Sequence, residues 1–272
     1  MESYTQICVK TRVDELSIEK DIYNYDGQAF KRGNSWKYCH EAFLDSAKKD
    51  PDNIDYDYLA LQLAFYLASW GMYRGSSFLL KLDYKIHIAP VKMMMEKQYR
   101  HLFACENPFA DEKTALEYKN LLFDQKTGIY CRIENYYIKA HRALTEEQER
   151  ADESDTLLTK ILLGVYGCIP AYDRFFKRGL SLFGRQQWLR KDGNALFKGS
   201  KSLGKLLKTG AMREELEQYH KEHPEYTFMK IVDMYFFSLG AYFEEGYDKL
   251  SSEDKKARTE MFRKEIEKKY LQ

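Results

Sequence analysis

The chain has 272 residues and little proline, five in all, and its five cysteines (Cys8, Cys39, Cys105, Cys131, Cys168) lie far apart with no Cys-x-x-Cys pair. Scattered thiols of odd number exclude a disulfide framework and offer no ligand spacing for structural zinc, which fits reduced cysteines in the cytoplasm. No apolar run reaches the ~20 residues that span a bilayer; the most apolar stretch, Leu59 to Tyr73, contains Gln62 and Ser69. Met1-Glu2-Ser3-Tyr4-Thr5 lacks the basic and apolar regions of a secretion signal, so a cytoplasmic protein with no membrane partner is expected. Period-two alternation, internal repeats and linkers rich in Gly, Ser or Pro are also missing. So are a serine nucleophile elbow and a zinc-protease helix, and Lys198-Gly199-Ser200-Lys201-Ser202-Leu203-Gly204 has the flavour of a phosphate loop in the wrong arrangement. No cofactor or metal is expected.

What remains is helical and aromatic, with 22 Tyr, 16 Phe and 3 Trp, 44% hydrophobic and 31% charged residues. Those are the proportions of a folding globular chain, and few prolines among many Lys, Glu, Leu and Ala favour long helices. An all-α fold follows, as two helical lobes, 1–144 and 145–272, or as a single domain. Helices are expected at about 13–25, from a Ser35 cap over 36–48, through the run Tyr58 to Trp70, from Pro90 to Leu102, and at 111–123, 129–143, 145–165, 211–222, 226–244 and 251–269. The run from Tyr58 to Trp70 is apolar nearly all round, the pattern of a central helix. Capping boxes open two helices at Thr145-x-x-Gln148 and Ser251-x-x-Asp254, and the last helix is expected to bury Ala257, Met261, Ile266 and Tyr270.

The net charge of +1 conceals a strong asymmetry. Residues 174–213 hold eleven Lys or Arg against Asp192 alone, a local +10, while the rest of the chain carries 32 bases and 41 acids. Arg174, Lys177, Arg178, Arg185, Arg190, Lys191, Lys198, Lys201 and Lys205 are candidates for nucleic-acid phosphates, with Trp188, buried in part, as a platform for a base. Arg74, between Gly71 and Gly75, is a further candidate phosphate ligand; pairing with a nearby acid is its ordinary role. DNA is the expected partner. An acidic protein or a second copy of the chain is the alternative, with the protein then a non-enzymatic subunit or inhibitor.

The basic stretch is entered through Ile169-Pro170-Ala171-Tyr172-Asp173. Asp173 stands where a helix opens, and a carboxylate there is first a cap. Helix, Gly-bearing turn, Pro and then Asp opening a helix resembles the second half of the helix-hairpin-helix DNA glycosylase signature over residues 157–180. That resemblance implies that Asp173 assists cleavage of an N-glycosidic bond, with the base drawn from the stack into a pocket near Tyr172 and Trp188. The family's glycine-bearing hairpin is not matched, since Ala151 to Asp155 is acidic, and Lys160, on a helical pattern, is not given the nucleophile's role. Phe65 to Ser77 resembles uncharacterised bacterial proteins found with mobile or defence genes, which implies a DNA or phage partner. His220-x-x-His223 and Glu244-Glu245 are read as solvent-facing helix ends.

Overall fold

The computed structural model describes residues 33–75, 77–103, 106–144, 154–189, 192–208 and 210–271. The helix expected at 13–25, the Thr145 capping box, Arg190 and Lys191 lie outside them. The fold is all-α, and no strand occurs among the described residues. Among the described residues, no helix is long and apolar enough to cross a membrane.

Helix α1 (Asn34–Ser46) buries Trp36, Cys39, His40 and Phe43, a stripe at helical spacing. Its cap is Gly33, and Ser35 is a buried helical residue, so the expected Ser35 cap is wrong. Helix α2 (Tyr56–Ser69) is capped by Asp55, which accepts from the Tyr58 N–H at 2.9 Å. It is apolar almost all round, yet only one face is covered: Tyr58, Leu61 and Phe65 are exposed, so it borders the core. Pro90 sits inside the first turn of α3 (Ile88–Met94), where a missing N–H costs nothing. The 3-10 turns at Lys97–Phe103 carry Tyr99 and Leu102 inward.

Helix α4 (Glu112–Phe123), capped by Asp111, packs beside α5 (Ile129–Leu144). Helix α6 (Asp155–Tyr166) follows, buried along nearly its whole length and capped by Ser154. Gly164 lets the Tyr66 ring of α2 lie against α6, where a Cβ would stand 2.5 Å from the ring. The carbonyls at the end of α6 have lone pairs to spare, the Leu163 carbonyl already accepting from the Gly167 N–H at 3.0 Å. Trp36 donates to the Leu163 carbonyl at 2.7 Å, and the protonated Nδ1 of His40 donates to that of Val165 at 2.9 Å.

Next come α7 (Arg174–Leu182), the short α8 (Asn194–Phe197) and α9 (Leu203–Leu207), then α10 (Ala211–Glu222), α11 (Phe228–Glu244) and α12 (Ser252–Tyr270). Ser251 caps α12 as expected, accepting from the Asp254 N–H at 3.0 Å. The buried stripe of α12 is Arg258, Phe262, Ile266 and Tyr270; Ile266 and Tyr270 are as expected, but Arg258 and Phe262 stand in place of Ala257 and Met261, because the guanidinium of Arg258 lies over the Phe243 and Phe262 rings and donates to the Tyr242 and Glu245 carbonyls. Among the described residues, helices α7 and α11 pack against each other most extensively, through Gly179 and Gly240, which let backbone meet backbone.

His87 ties the segment after α2 to the core: Tyr73 Oη lies 2.6 Å from its Nε2 and Tyr137 Oη 2.6 Å from its Nδ1. Burial pushes its pKa down from 6.5 to about 4. The native ring is therefore neutral, and below the unfolded value the unfolded chain binds the extra proton. Stability is expected to fall as pH drops from 6.5 towards 4, by about 2 kcal/mol between pH 6.5 and 5 at 1.36 kcal/mol per unit. Urea titrations of wild type and His87→Gln at the two pH values test it; an equal acid loss in both assigns the effect elsewhere, with buried His40 shifted in the same direction.

Candidate functional site

The path from α6 to α7 is buried and extended, so its backbone groups need partners from neighbouring helices. Gly167 leaves α6 at φ 64°, and Thr227 donates to its carbonyl at 2.7 Å. The Ala171 N–H reaches Asp233 Oδ1 at 2.9 Å, the Tyr172 N–H reaches Thr159 Oγ1 at 2.8 Å, and Thr156 donates to the Tyr172 carbonyl at 2.8 Å. These polar residues, set in otherwise apolar helices, hold Asp173 in place.

Asp173 caps α7: its Oδ1 accepts from the Phe176 N–H at 3.0 Å. Its Oδ2 accepts from Lys160 Nζ, also at 3.0 Å, from thirteen residues earlier in the chain. The two side chains are only 5% (Lys160) and 14% (Asp173) exposed. A second pair lies alongside, Lys230 Nζ to Asp233 Oδ2 at 3.1 Å, with side chains 2% and 8% exposed. Lys160 lies 4.9 Å from the centre of the Trp70 ring, and Lys230 lies 5.7 Å from Trp70 and 5.5 Å from Trp36. Two cations and two anions, with indole faces against the amines, thus form a neutral quartet inside the core.

Desolvation disfavours both charges of the inner pair, lowering Lys230 and raising Asp233, and each charge offsets part of the other's shift. A buried ion pair adds little stability over apolar packing and is strongly disruptive when one partner is removed, so such a cluster is a candidate functional site. Trp70 meets Phe237 edge-on at 5.8 Å and Phe237 meets Phe175 at 5.3 Å; all three are partly exposed.

Sequence separation hid Lys160, Lys230, Asp233 and Trp70 as members of this site. The signal was present: a lysine inside Leu157 to Gly164, and a Lys and Asp three apart inside the apolar Phe228 to Phe243. Of the two aromatics expected to flank a base, Tyr172 is fully buried and Trp188 is 66% exposed.

The expected phosphate ligands fall into three groups. Arg174 and Arg178 both pair with Glu244, whose side chain is 6% exposed, so Glu244 is a buried counter-charge and not a solvent-facing helix end. Lys177 lies over the Trp188 ring at 4.9 Å, and Arg185 donates to the Ser200 carbonyl at 3.2 Å. Lys198, Lys201 and Lys205 are exposed and have no ion pair among the described residues. Beyond them, Lys208 pairs with Glu112 and Arg213 with Glu217. Arg74 folds back over Gly71, exposed, and makes no ion pair among the described residues, so its ordinary pairing with a nearby acid does not occur there.

His223 Nδ1 lies 3.3 Å from Glu225, and no group of three or more His, Cys, Asp or Glu is placed to hold a metal ion among the described residues. Comparison of the chain with family models, curated proteins and solved structures found no match.

Proposed function

We propose that this protein binds DNA through its basic surface and excises a base at Asp173, in the manner of a glycosylase. The observation that carries the reading is the Lys160–Asp173 pair, a carboxylate and an amine withdrawn from water beneath Trp70 at the head of helix α7. A carboxylate in so dry a site interacts strongly with positive charge. In base excision the glycosidic electron pair leaves with the base, the sugar becomes cationic, and water adds to it with loss of a proton. Asp173 supplies the negative charge against the cation, and Lys160, 3.0 Å from its Oδ2, fixes where that oxygen lies. The base enters past Trp70, Phe175 and Phe237. Lys198, Lys201, Lys205 and Lys177 bind phosphate, and the reading places this activity in defence against foreign DNA.

Two measurements test it. Duplex binding by four lysines should weaken with salt at a log–log slope of about −3.6, taking −0.9 per phosphate. Incubation with mismatched or modified duplex should release base with wild type and about a hundredfold less with Asp173→Asn, the ordinary scale for loss of a positioned acid or base. Asparagine keeps an oxygen for the Phe176 N–H, so the helix cap survives. Equal abasic-site yield from both proteins removes Asp173 as the catalyst and leaves it a cap and ion-pair partner. No DNA binding at low salt removes the reading altogether and favours a non-enzymatic protein whose three unpaired lysines receive an acidic protein.

A further inference from the structure

The turn Lys198 to Ser202 separates two open hollows. One, about 330 Å³, is polar, bordered by Gln186, Asn194, Ser200 and Lys201. The other, about 510 Å³, has Phe109, Leu116 and Phe197 as its floor and Lys205 at its edge. Lys198, Gly199 and Ser202 line both. Gly199 has φ 114° and open space where a side chain would stand.

The charges around the hollows are unequal in availability. Asp111 is occupied in capping α4, Glu112 answers Lys208, and Lys119 donates to Asn194. Lys198 and Lys201 on the turn and Lys205 in α9 remain, with Lys198 lining both hollows, Lys201 the polar one and Lys205 the apolar one. A polyanion with repeated charges suits three separate amines better than a single anion does. The apolar floor adds a second requirement, since Leu116 is 59% exposed and Phe197 partly so. A duplex keeps its bases stacked inside and has little to lay on such a floor, whereas an unpaired strand offers phosphates and free base faces together.

We propose that the two hollows form one track for an unpaired nucleic-acid strand. Phosphates lie on Lys198, Lys201 and Lys205, and a base packs on Leu116 and Phe197. The proposal rests on the nucleic-acid reading above and adds the form of nucleic acid that is held.

Fluorescence anisotropy of the full chain with a labelled oligothymidylate of about twelve residues, and with a duplex of equal length, tests it. The oligothymidylate is expected to bind more tightly, with a log–log salt slope of about −2 for three phosphates at −0.7 each. Lys198→Ala/Lys205→Ala should reduce the slope to about −0.7 and the low-salt affinity at least tenfold. Leu116→Ala, at an exposed position that leaves the core intact, should weaken the oligothymidylate about fivefold with the slope unchanged, in keeping with the loss of one base contact. Duplex bound as tightly as the single strand, or single-strand binding indifferent to all three substitutions, overturns the track and leaves the DNA reading standing. No binding of either form sinks both. Polyglutamate competing as well as unlabelled oligothymidylate overturns the track in favour of an acidic protein partner.

Discussion

Gly240→Ala is expected to destabilise the protein by about 3 kcal/mol or more, the upper end of what overpacking a core costs. A Cβ at this position would stand 1.9 Å from the Phe175 carbonyl oxygen, 2.7 Å from its carbon and 2.9 Å from the Gly179 nitrogen. All three are backbone atoms, so no side-chain rotation relieves the clash. The helices must separate, and Gly179, where a Cβ would meet the Phe236 carbonyl at 2.3 Å, is strained by the same crossing from the other side. Separation of α7 from α11 loosens the contacts between Phe176, Phe183 and Phe236 and shifts Asp173 at the head of α7. Gly246→Ala is the control: φ is 67° there and nothing lies within 4 Å, so only backbone strain of about 1 kcal/mol applies. Urea unfolding of the two variants checks the difference, and equal losses would show that the crossing is not tight.

Asp233→Leu is expected to cost about 3–5 kcal/mol, the range for removing one partner of a buried ion pair. Lys230 then loses the carboxylate 3.1 Å from its Nζ, and burial drives it further towards the neutral amine. The sign of the pH effect follows: a lysine neutral in the fold and protonated in the unfolded chain makes stability rise with pH up to the unfolded value, so the variant should recover between pH 7 and 9 more steeply than wild type. Lys230→Met/Asp233→Leu should regain most of the loss. It should remain about 1–2 kcal/mol short, because the Ala171 N–H no longer has its Asp233 acceptor. A double variant no better than Asp233→Leu would refute charge imbalance as the cause and point to the Ala171 hydrogen bond. Lys230 also borders Trp70, so base-excision assays on the double variant report whether the inner pair positions Lys160 and Asp173.

Helix α12 shows how far local signals reach. Ser251 and Asp254 place its start correctly because a cap is a contact among neighbours in sequence. Its buried stripe was misjudged because Arg258, charged on paper, finds two helix-end carbonyls and two aromatic rings once α11 is beside it. Phe65, apolar on paper, stays at the surface because nothing among the described residues covers that face of α2. Local charge misleads in the same way: Arg174 and Arg178 count towards the basic segment, and the fold gives both to Glu244 across the α7–α11 crossing.

By itself the sequence determined that this chain is all-α, where most helices begin and end, that Asp173 opens a helix, and that one segment is strongly basic. Each of these depends on contacts within a few residues or on composition. Only the tertiary structure decided that Lys160 meets Asp173, that Lys230 and Asp233 lie beside them under Trp36 and Trp70, and that Lys198, Lys201 and Lys205 are exposed and without an ion pair among the described residues. The physical reason is distance along the chain. Desolvation and ion pairing depend on which helices pack together, and here that packing is set by two glycines, Gly179 and Gly240, that let α7 and α11 touch.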